Sequence, residues 1–306
     1  MTPFRFHPIY QPRIWGGRKL QLMLGRTTPV FSEPCGESWE ISDRPGAVSI
    51  VKEGPWQGYS LNQLWQEHRK EIFGDGYDHF TNFPLLCKLL DVSDKLSIQV
   101  HPPKATATRW GGEEKNEIWY ILYSSSDATI YAGLQPNTTP DDLHQAILED
   151  DVDKHLCSHH LDRGKHLYIP SGLIHAISGE HLIVEIQQNS DTTYRLYDWN
   201  RRDSLGRGRE LHVPQSLDAI KEYQQLEKQP GYTTQVKPFS IKEHILPPCE
   251  SFTQSNSKKF AIFAILEGRI SWPNATATQG DFIISPAHAT PITTETKTHL
   301  LEINVP

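Results

Sequence analysis

The chain has 306 residues, 37% hydrophobic and 22% charged, which is enough apolar content for a globular core and argues against disorder. Its formal net charge of −7, with no block of like charge, argues against nucleic acid or an anionic membrane as partner, although a local cationic pocket for a phosphorylated substrate stays open. Cys35, Cys87, Cys157 and Cys249 are scattered and form no CxxC, so neither a disulfide framework nor a Cys-rich zinc site is expected.

The first stretch, MTPFRFHPIYQPRIWGG, lacks the apolar core of a signal peptide. No apolar run approaches the roughly 20 residues of a membrane span, so the expected location is the cytoplasm. SWEIS and AVSIVK read as short strands. SLNQLWQEHRK reads as a helix with Ser60 as N-cap and Leu61, Leu64 and Trp65 on one face. PLLCKLLDV and LSIQV are strands again. In LSIQVHPP, Leu96, Ile98 and Val100 alternate with Ser97, Gln99 and His101. The apolar row should pack against an outer layer and the polar row should face a cavity. A buried Gln and His are costly unless something satisfies them.

EIWYIL, opened by Glu117, and ATIYAGL follow as strands. TPDDLHQAILED reads as a helix capped by Thr139, with Pro140 at its first position and Leu143, Ala146 and Ile147 inward. KHLYIP, HAIS, HLIVEIQQ and TTYRLYDW are strands; regular alternation would put Thr193, Arg195 and Tyr197 on one face. VPQSLDAIKEYQQL is a third helix with Leu217 and Ile220 inward. KQPGYTTQVKP reads as a linker. FSIKEHIL, FAIFAILEG, RISWP, DFIISP and THLLEINV then form a smaller β unit in which His244, His288 and His299 stand isolated. Twenty-two prolines and twenty glycines suit many short strands joined by turns, as in a sandwich or barrel. His181 and the pair His159–His160 have no partner pattern and are expected at the surface.

Gln99, His101, Glu117 and His175 form a nitrogen and oxygen donor set suited to zinc or another first-row divalent ion, with room for water or substrate. A lone strand histidine is more often hydrogen-bonded than a ligand, but a small barrel brings non-adjacent strands face to face. The second half of the set lies in Gly164-KHLYI-Pro170-Ser171-Gly172-LI-His175, a G-x5-P-x-G-x2-H pattern. This resembles the second motif of the cupin superfamily, while Gln99-Val100-His101 stands where the first motif usually has H-x-H. The variant resembles the type I mannose-6-phosphate isomerases (phosphomannose isomerases) in their short bacterial form. The resemblance covers nearly the whole chain: RIWGGRKL, GESWEIS, LSIQVHP, KNEIWYIL, IPSGLIHAI and EIQQNSDTTYRLYDWNR fall in the right order and spacing.

The resemblance implies a mainly β fold: a cupin-type jelly-roll β-barrel with a few peripheral helices and a second, smaller C-terminal β unit. It sets a catalytic domain at 1–230 and a C-terminal β domain without its own metal site at 231–306. It implies one Zn2+ per chain, with other divalent metals possible, held by Gln99, His101, Glu117 and His175. The activity implied is interconversion of mannose 6-phosphate and fructose 6-phosphate through a cis-enediol or enediolate. Glu185 is then a candidate for proton transfer, Lys115 for oxyanion stabilisation or proton shuttling, and Arg195 for phosphate or developing negative oxygen. Ser97 and Lys88 match the family's phosphate pocket, and Arg201 another of its basic positions. Trp15 would line the sugar site or fill the core, and Glu40 would reach the cavity. The partner expected is a hexose 6-phosphate, with no nucleic acid, no membrane and no oligomeric state assigned. Competing readings are a non-catalytic metal-cupin that binds a sugar phosphate, an isomerase of an unphosphorylated aldose, and an iron oxygenase. The oxygenase would leave the Lys and Arg complement unexplained.

Overall fold

A computed structural model describes residues 1–202, 206–225, 235–236 and 238–306. It is mostly β. A six-stranded antiparallel sheet runs in the order Ile9–Pro12, Cys35–Ile41, Leu85–Val92, His181–Gln188, Glu117–Ser124 and His166–Ile169. A five-stranded antiparallel sheet runs Tyr194–Tyr197, Ile98–Val100, His175–Ser178, Thr129–Leu134 and Leu156–His159.

The central strands of the large sheet are buried on both faces, and each face has its own chemistry. Leu85, Cys87 and Leu89, Leu182, Val184 and Ile186, and Ile118, Tyr120 and Leu122 point one way, into the main apolar cluster. At about 1.5–3 kcal/mol for each large aliphatic side chain, this face carries much of the fold's stability. The alternating positions Lys88, Glu185, Glu117 and Trp119 point the other way, toward the small sheet. Between the sheets, Trp119, Ile121 and Ile183 meet Ile130, Ala132 and Ile177. The inner face is therefore apolar at one end and polar at the other.

The outer face of the small sheet is covered by two helices. Pro140–Glu149 has Thr139 in a capping box with Asp142, and Val213–Gln225 lays Ala219 and Ile220 on Ile98, Val100 and Leu196. Ser60 caps Leu61–Glu67 through a capping box with Gln63; that helix ends at His68, and a second turn runs Arg69–Phe73. The helix Lys104–Trp110, which no apolar period announces, follows Pro103.

Two side chains depart from regular alternation and a third from its expected exposure. Ile98 and Val100 face the outer layer, but Leu96 joins the inter-sheet cluster beside Trp15, because the strand begins only at Ile98. Tyr197 leaves the face of Arg195 for the outer cluster, because the register shifts between them. His181 is 1% exposed rather than at the surface, since it opens a central strand between Val92 and Ser124.

The linker KQPGYTTQVKP and the boundary at 230/231 lie largely outside the described residues; Gln235–Val236 pairs with Phe239–Leu246. The C-terminal segment builds a five-stranded and a four-stranded sheet. Phe260, Ile284 and Ile303 share the main apolar cluster with Phe4, Trp65 and Phe83, and Phe4 bridges Ile284 directly. Glu40 belongs to this contact and not to the cavity: Arg26 holds its carboxylate at 3.1 Å and also reaches Asp281 at 3.6 Å. His244 is not isolated; its Nε2 is 2.8 Å from the buried Glu302 carboxylate.

Burial, reinforced by the charges of Lys19 and His160, holds the His181 pKa down at about 4, well under its ordinary value near 6.5. The unfolded chain then binds the extra proton first as pH falls. Stability from this residue is complete above pH 6.5 and lost between about 6.5 and 4, a loss of up to about 3 kcal/mol. Urea unfolding at pH 7.5 and pH 4.5 should show a flatter pH dependence for His181→Leu than for the wild type. Parallel slopes would remove His181 from the acid sensitivity.

Candidate metal centre and active-site cavity

His175 and Gln99 are direct cross-strand partners in the small sheet, and Arg195 is the partner of Gln99 on its other side. His101 follows the same strand as Gln99. Glu117 comes from the facing large sheet. The turn Pro170–Gly172 ties these segments together, since the Gly172 N–H donates to the His101 carbonyl at 2.6 Å. Gly172 has φ +87°, and a Cβ there would lie 2.5 Å from Tyr223 and 2.9 Å from Pro103. Only glycine lets the turn sit this close, which accounts for its place in the motif. Gly16 in RIWGG has a similar reason: a Cβ would meet the Gly36 nitrogen at 2.7 Å.

The donor atoms of His101, Glu117 and His175 lie within 4.8 Å of one another; among the described residues they form one group able to share an ion. Both histidines are oriented from behind. His101 Nδ1 is 3.0 Å from the Thr192 carbonyl, and His175 Nδ1 is 2.8 Å from the Leu173 carbonyl. Each Nδ1 therefore carries the proton and each Nε2 presents a lone pair inward. Nε2 of His101 is 3.4 Å from one Glu117 oxygen, and Nε2 of His175 is 3.7 Å from the other. His101 Nε2 and both Glu117 oxygens are fully buried yet make no hydrogen bond of good geometry. Such atoms are rare in a folded protein without a further partner. A divalent cation would satisfy all three, so the residues fit a metal.

Gln99 lies beside this group. Its amide nitrogen is 3.4 Å from His175 Nε2, and its oxygen accepts from the Ser97 hydroxyl at 3.4 Å. A half-turn of the amide exchanges these atoms and offers oxygen to an ion shared with His175. Burial pushes the His101 pKa down to about 3, and Lys115 adds to this; burial likewise lowers His175. Burial alone would raise Glu117, but Lys115, 3.3 Å away, and His101 outweigh it and hold the carboxyl well below its usual range. The set is thus two neutral imidazoles, one carboxylate and one amide, all in ligating form at neutral pH.

A cavity of about 480 Å³ opens over this centre. Ser97, Gln99, Lys88, Lys115, Glu185 and Arg195 all line it. His101, Glu117 and His175 do not line it, so of these four side chains Gln99 is the one that meets the open space. Trp15 lines the cavity too, and belongs to the inter-sheet cluster. Glu185, the strand partner of Lys88 and of Trp119, is held by both: Lys88 Nζ is 3.2 Å away and the Trp119 indole N–H donates at 3.2 Å. Burial raises the Glu185 pKa against the opposing charge of Lys88.

Arg201 does not line this cavity. Its guanidinium donates to the Lys95 carbonyl and to Asp198 at 2.6 Å, which turns it toward a neighbouring groove. Asp191 makes no ion pair with Arg195 among the described residues. Sequence reading missed five titratable cavity residues: Arg13, Glu33, Glu37, Arg209 and His212. Glu37 and Arg13 pair at 2.9 Å, and Glu37 also accepts from the Trp39 indole at 2.6 Å. The carboxyl of Glu37 is down at about 2: burial opposes this, but Lys88 and Arg13 outweigh it. The GESW stretch carried that signal, because its Glu alternates with a Trp on a fully buried strand.

Residues 3–149 match the family model described as phosphomannose isomerase type I, catalytic domain. A mannose-6-phosphate isomerase of Streptococcus mutans is 43% identical over 209 residues, 68% of this chain and 64% of that protein. Mannose-6-phosphate isomerase ManA of Bacillus subtilis is 40% identical over 221 residues, 72% of this chain and 68% of that protein. The matches thus span about two thirds of these relatives' own lengths. The crystal structure of the mannose 6-phosphate isomerase from Bacillus subtilis superposes over 100% of both chains, with a TM-score of 0.87 and 32% identity. No helix among the described residues is long and apolar enough to cross a membrane.

Proposed function

The chain belongs to the type I phosphomannose isomerase family, and from that premise we propose that it interconverts mannose 6-phosphate and fructose 6-phosphate with a divalent metal, zinc by preference, at Gln99, His101, Glu117 and His175. The observation that carries the reading is the pair of back-bonded histidines whose bare Nε2 atoms converge on Glu117 under a polar cavity. Two imidazoles, a carboxylate and an amide oxygen suit zinc or a similar first-row ion. When bound, the metal would polarise the sugar oxygens at C1 and C2.

The chain's own groups then supply the rest of the chemistry. A proton leaves C2 and a proton arrives at C1, while the hydroxyl protons are exchanged between O1 and O2. Glu185 is the buried carboxylate on the cavity wall with its geometry fixed from both sides, and it takes and returns the carbon-bound proton. Lys88 and the Trp119 indole orient it. Lys115, beside Glu117, donates to the sugar oxygen that gains charge in the enediolate. Arg195, next to Gln99 across the sheet, offers a planar fork to the same end of the substrate. The cavity walls, closed behind by Trp15, Leu90 and Leu96, keep bulk water from the intermediate.

A coupled assay for fructose 6-phosphate tests this. Mannose 6-phosphate should be turned over by the metal-loaded chain, chelation should remove at least about 99% of the activity, and added Zn2+ should restore it. Absence of product in every metal condition defeats the proposal. Turnover of unphosphorylated mannose at an equal kcat/KM would replace the substrate with a plain aldose.

A further inference from the structure

His101, Glu117 and His175 reach the metal centre from different strands, and one turn is tied to all three segments. The Ser171 N–H donates to the side-chain oxygen of Asn116 at 3.0 Å. The Gly172 N–H donates to the His101 carbonyl at 2.6 Å, and the Leu173 carbonyl accepts from His175 Nδ1 at 2.8 Å. The links to His101 and His175 are direct. The link to Glu117 runs through its neighbour, Asn116.

Asn116 stands where the main-chain ladder is incomplete on both sides. Glu117 opens its strand, with Gln187 as partner on one side and Ile169 on the other. After Ile169 comes Pro170, which has no N–H to give. On the other side the Gln188 N–H donates to the Asn116 carbonyl at 3.1 Å, but the Asn116 N–H donates to the Gln188 side chain, at 2.9 Å.

The Asn116 amide fills the missing rungs. Its Oδ1 accepts from the Ser171 N–H and from the Tyr168 hydroxyl at 2.9 Å. Its Nδ2 donates to Gln188 Oε1 at 2.7 Å and lies 3.5 Å from Glu114 Oε1, which itself accepts from the Ser171 hydroxyl at 3.2 Å. Two donors face one end of the amide and two acceptors face the other, which fixes its orientation. A carboxylate of the same shape would set oxygen against oxygen at Gln188. Asn116 is buried and does not line the cavity. Lys115 and Glu117 flank it, with their charged groups 3.3 Å apart. The bonds that hold Asn116 thus hold the backbone from which a cavity lysine and the carboxylate ligand both project.

We propose that Asn116 is a positioning residue of the metal centre, tying the backbone of Lys115 and Glu117 to the turn that sets His101 and His175. The inference rests on the metal reading given above. Its magnitude follows from the general cost of losing a partner behind a metal ligand, about 10–100-fold in affinity.

The test is Zn2+ affinity, measured by competition with a chromophoric chelator, alongside urea unfolding of the metal-free chain. Asn116→Asp should weaken Zn2+ at least about tenfold. At saturating metal it should lower kcat severalfold with KM for mannose 6-phosphate little changed. Gln188→Ala removes the acceptor on the other side and should weaken Zn2+ at least about threefold; it decides the matter if Asn116→Asp does not fold. Tyr168→Phe removes one donor from Oδ1 and leaves the links to Ser171 and Gln188, so its Zn2+ affinity should stay within about twofold of the wild type. A purely structural role would lower the unfolding midpoint of the metal-free chain and leave the affinity alone. A folded Asn116→Asp chain with wild-type Zn2+ affinity therefore overturns the inference, as does an equal loss of affinity in Tyr168→Phe. A wild type that takes up no metal would defeat the metal reading and this inference together. Metal uptake that responds to these variants as expected, without turnover of mannose 6-phosphate, would defeat the isomerase reading and leave the role of Asn116 standing.

Discussion

His175→Ala is expected to leave the purified chain with less than about a tenth of a metal ion and with turnover reduced at least about a thousandfold, since losing even a group behind a ligand costs 10–100-fold in metal affinity. His175 is wholly buried, and its Nδ1 bond to the Leu173 carbonyl aims Nε2 into the centre. Its removal subtracts one of four donors and leaves Glu117 with His101 and Lys115 as its remaining polar neighbours. It also empties space beside Trp119, whose ring meets His175 edge-on at 5.4 Å. Some loss of stability from that cavity is therefore expected alongside the loss of metal, on the order of 1–3 kcal/mol. Elemental analysis of the purified variant, with the unfolding midpoint measured in parallel, separates the two effects. A folded His175→Ala chain that still holds a full equivalent of metal would take His175 out of the ligand set. His101→Ala is the matched control, because its Nδ1 is fixed the same way by Thr192.

How much of this was legible beforehand depends on where each group sits in the chain. Gln99, His101, Glu117 and His175 lie on strands or at tight turns, where alternation and the Pro-x-Gly turn restrict the direction of a side chain. The inner and outer faces of HLIVEIQQ and EIWYIL could be read for the same reason. The readings that failed are those that needed a register. Alternation alone puts Tyr197 on the face of Arg195, but an irregularity lies between them, and one extra residue flips a side chain to the other face. Leu96 precedes the strand, which starts two residues later.

Arg209 and His212 come from a stretch with neither period, so nothing in their spacing says they return to Arg195. Only the backbone bonds between His212 and Arg195 bring them there. Arg201 is the reverse case. Its place in YDWNR follows the resemblance, but the strand ends at Tyr197 and Asp198, three residues before it, captures the guanidinium locally. Sequence gives the charge of such a residue and not the competition for it. The same holds for Lys88, whose neighbours Glu37 and Glu185 are about 50 and 100 residues away in the chain.

That competition bears directly on Glu185→Gln, for which a drop in kcat of about 10²–10⁴-fold is expected, with metal content unchanged and KM little altered. A cis-enediol keeps both carbon-bound proton transfers on one face of the substrate, so a single base can serve C2 and C1 in turn. Glu185 meets the requirements for such a base. It is 4% exposed, it lines the cavity, and burial raises its pKa against the opposing charge of Lys88. Glutamine keeps the shape and still accepts from the Trp119 indole, so the wall is preserved and only the proton acceptor is lost. Lys88 is left with Glu37 as its carboxylate partner, 3.9 Å away, and a modest fall in the unfolding midpoint should accompany the change. The decisive readout is at carbon. Mannose 6-phosphate carrying deuterium at C2 should lose none of it to solvent in the presence of the variant, while the wild type releases or transfers it at the rate of turnover. A Glu185→Gln chain with more than about a third of wild-type kcat would end the assignment, because an amide has no basicity with which to take a proton from carbon.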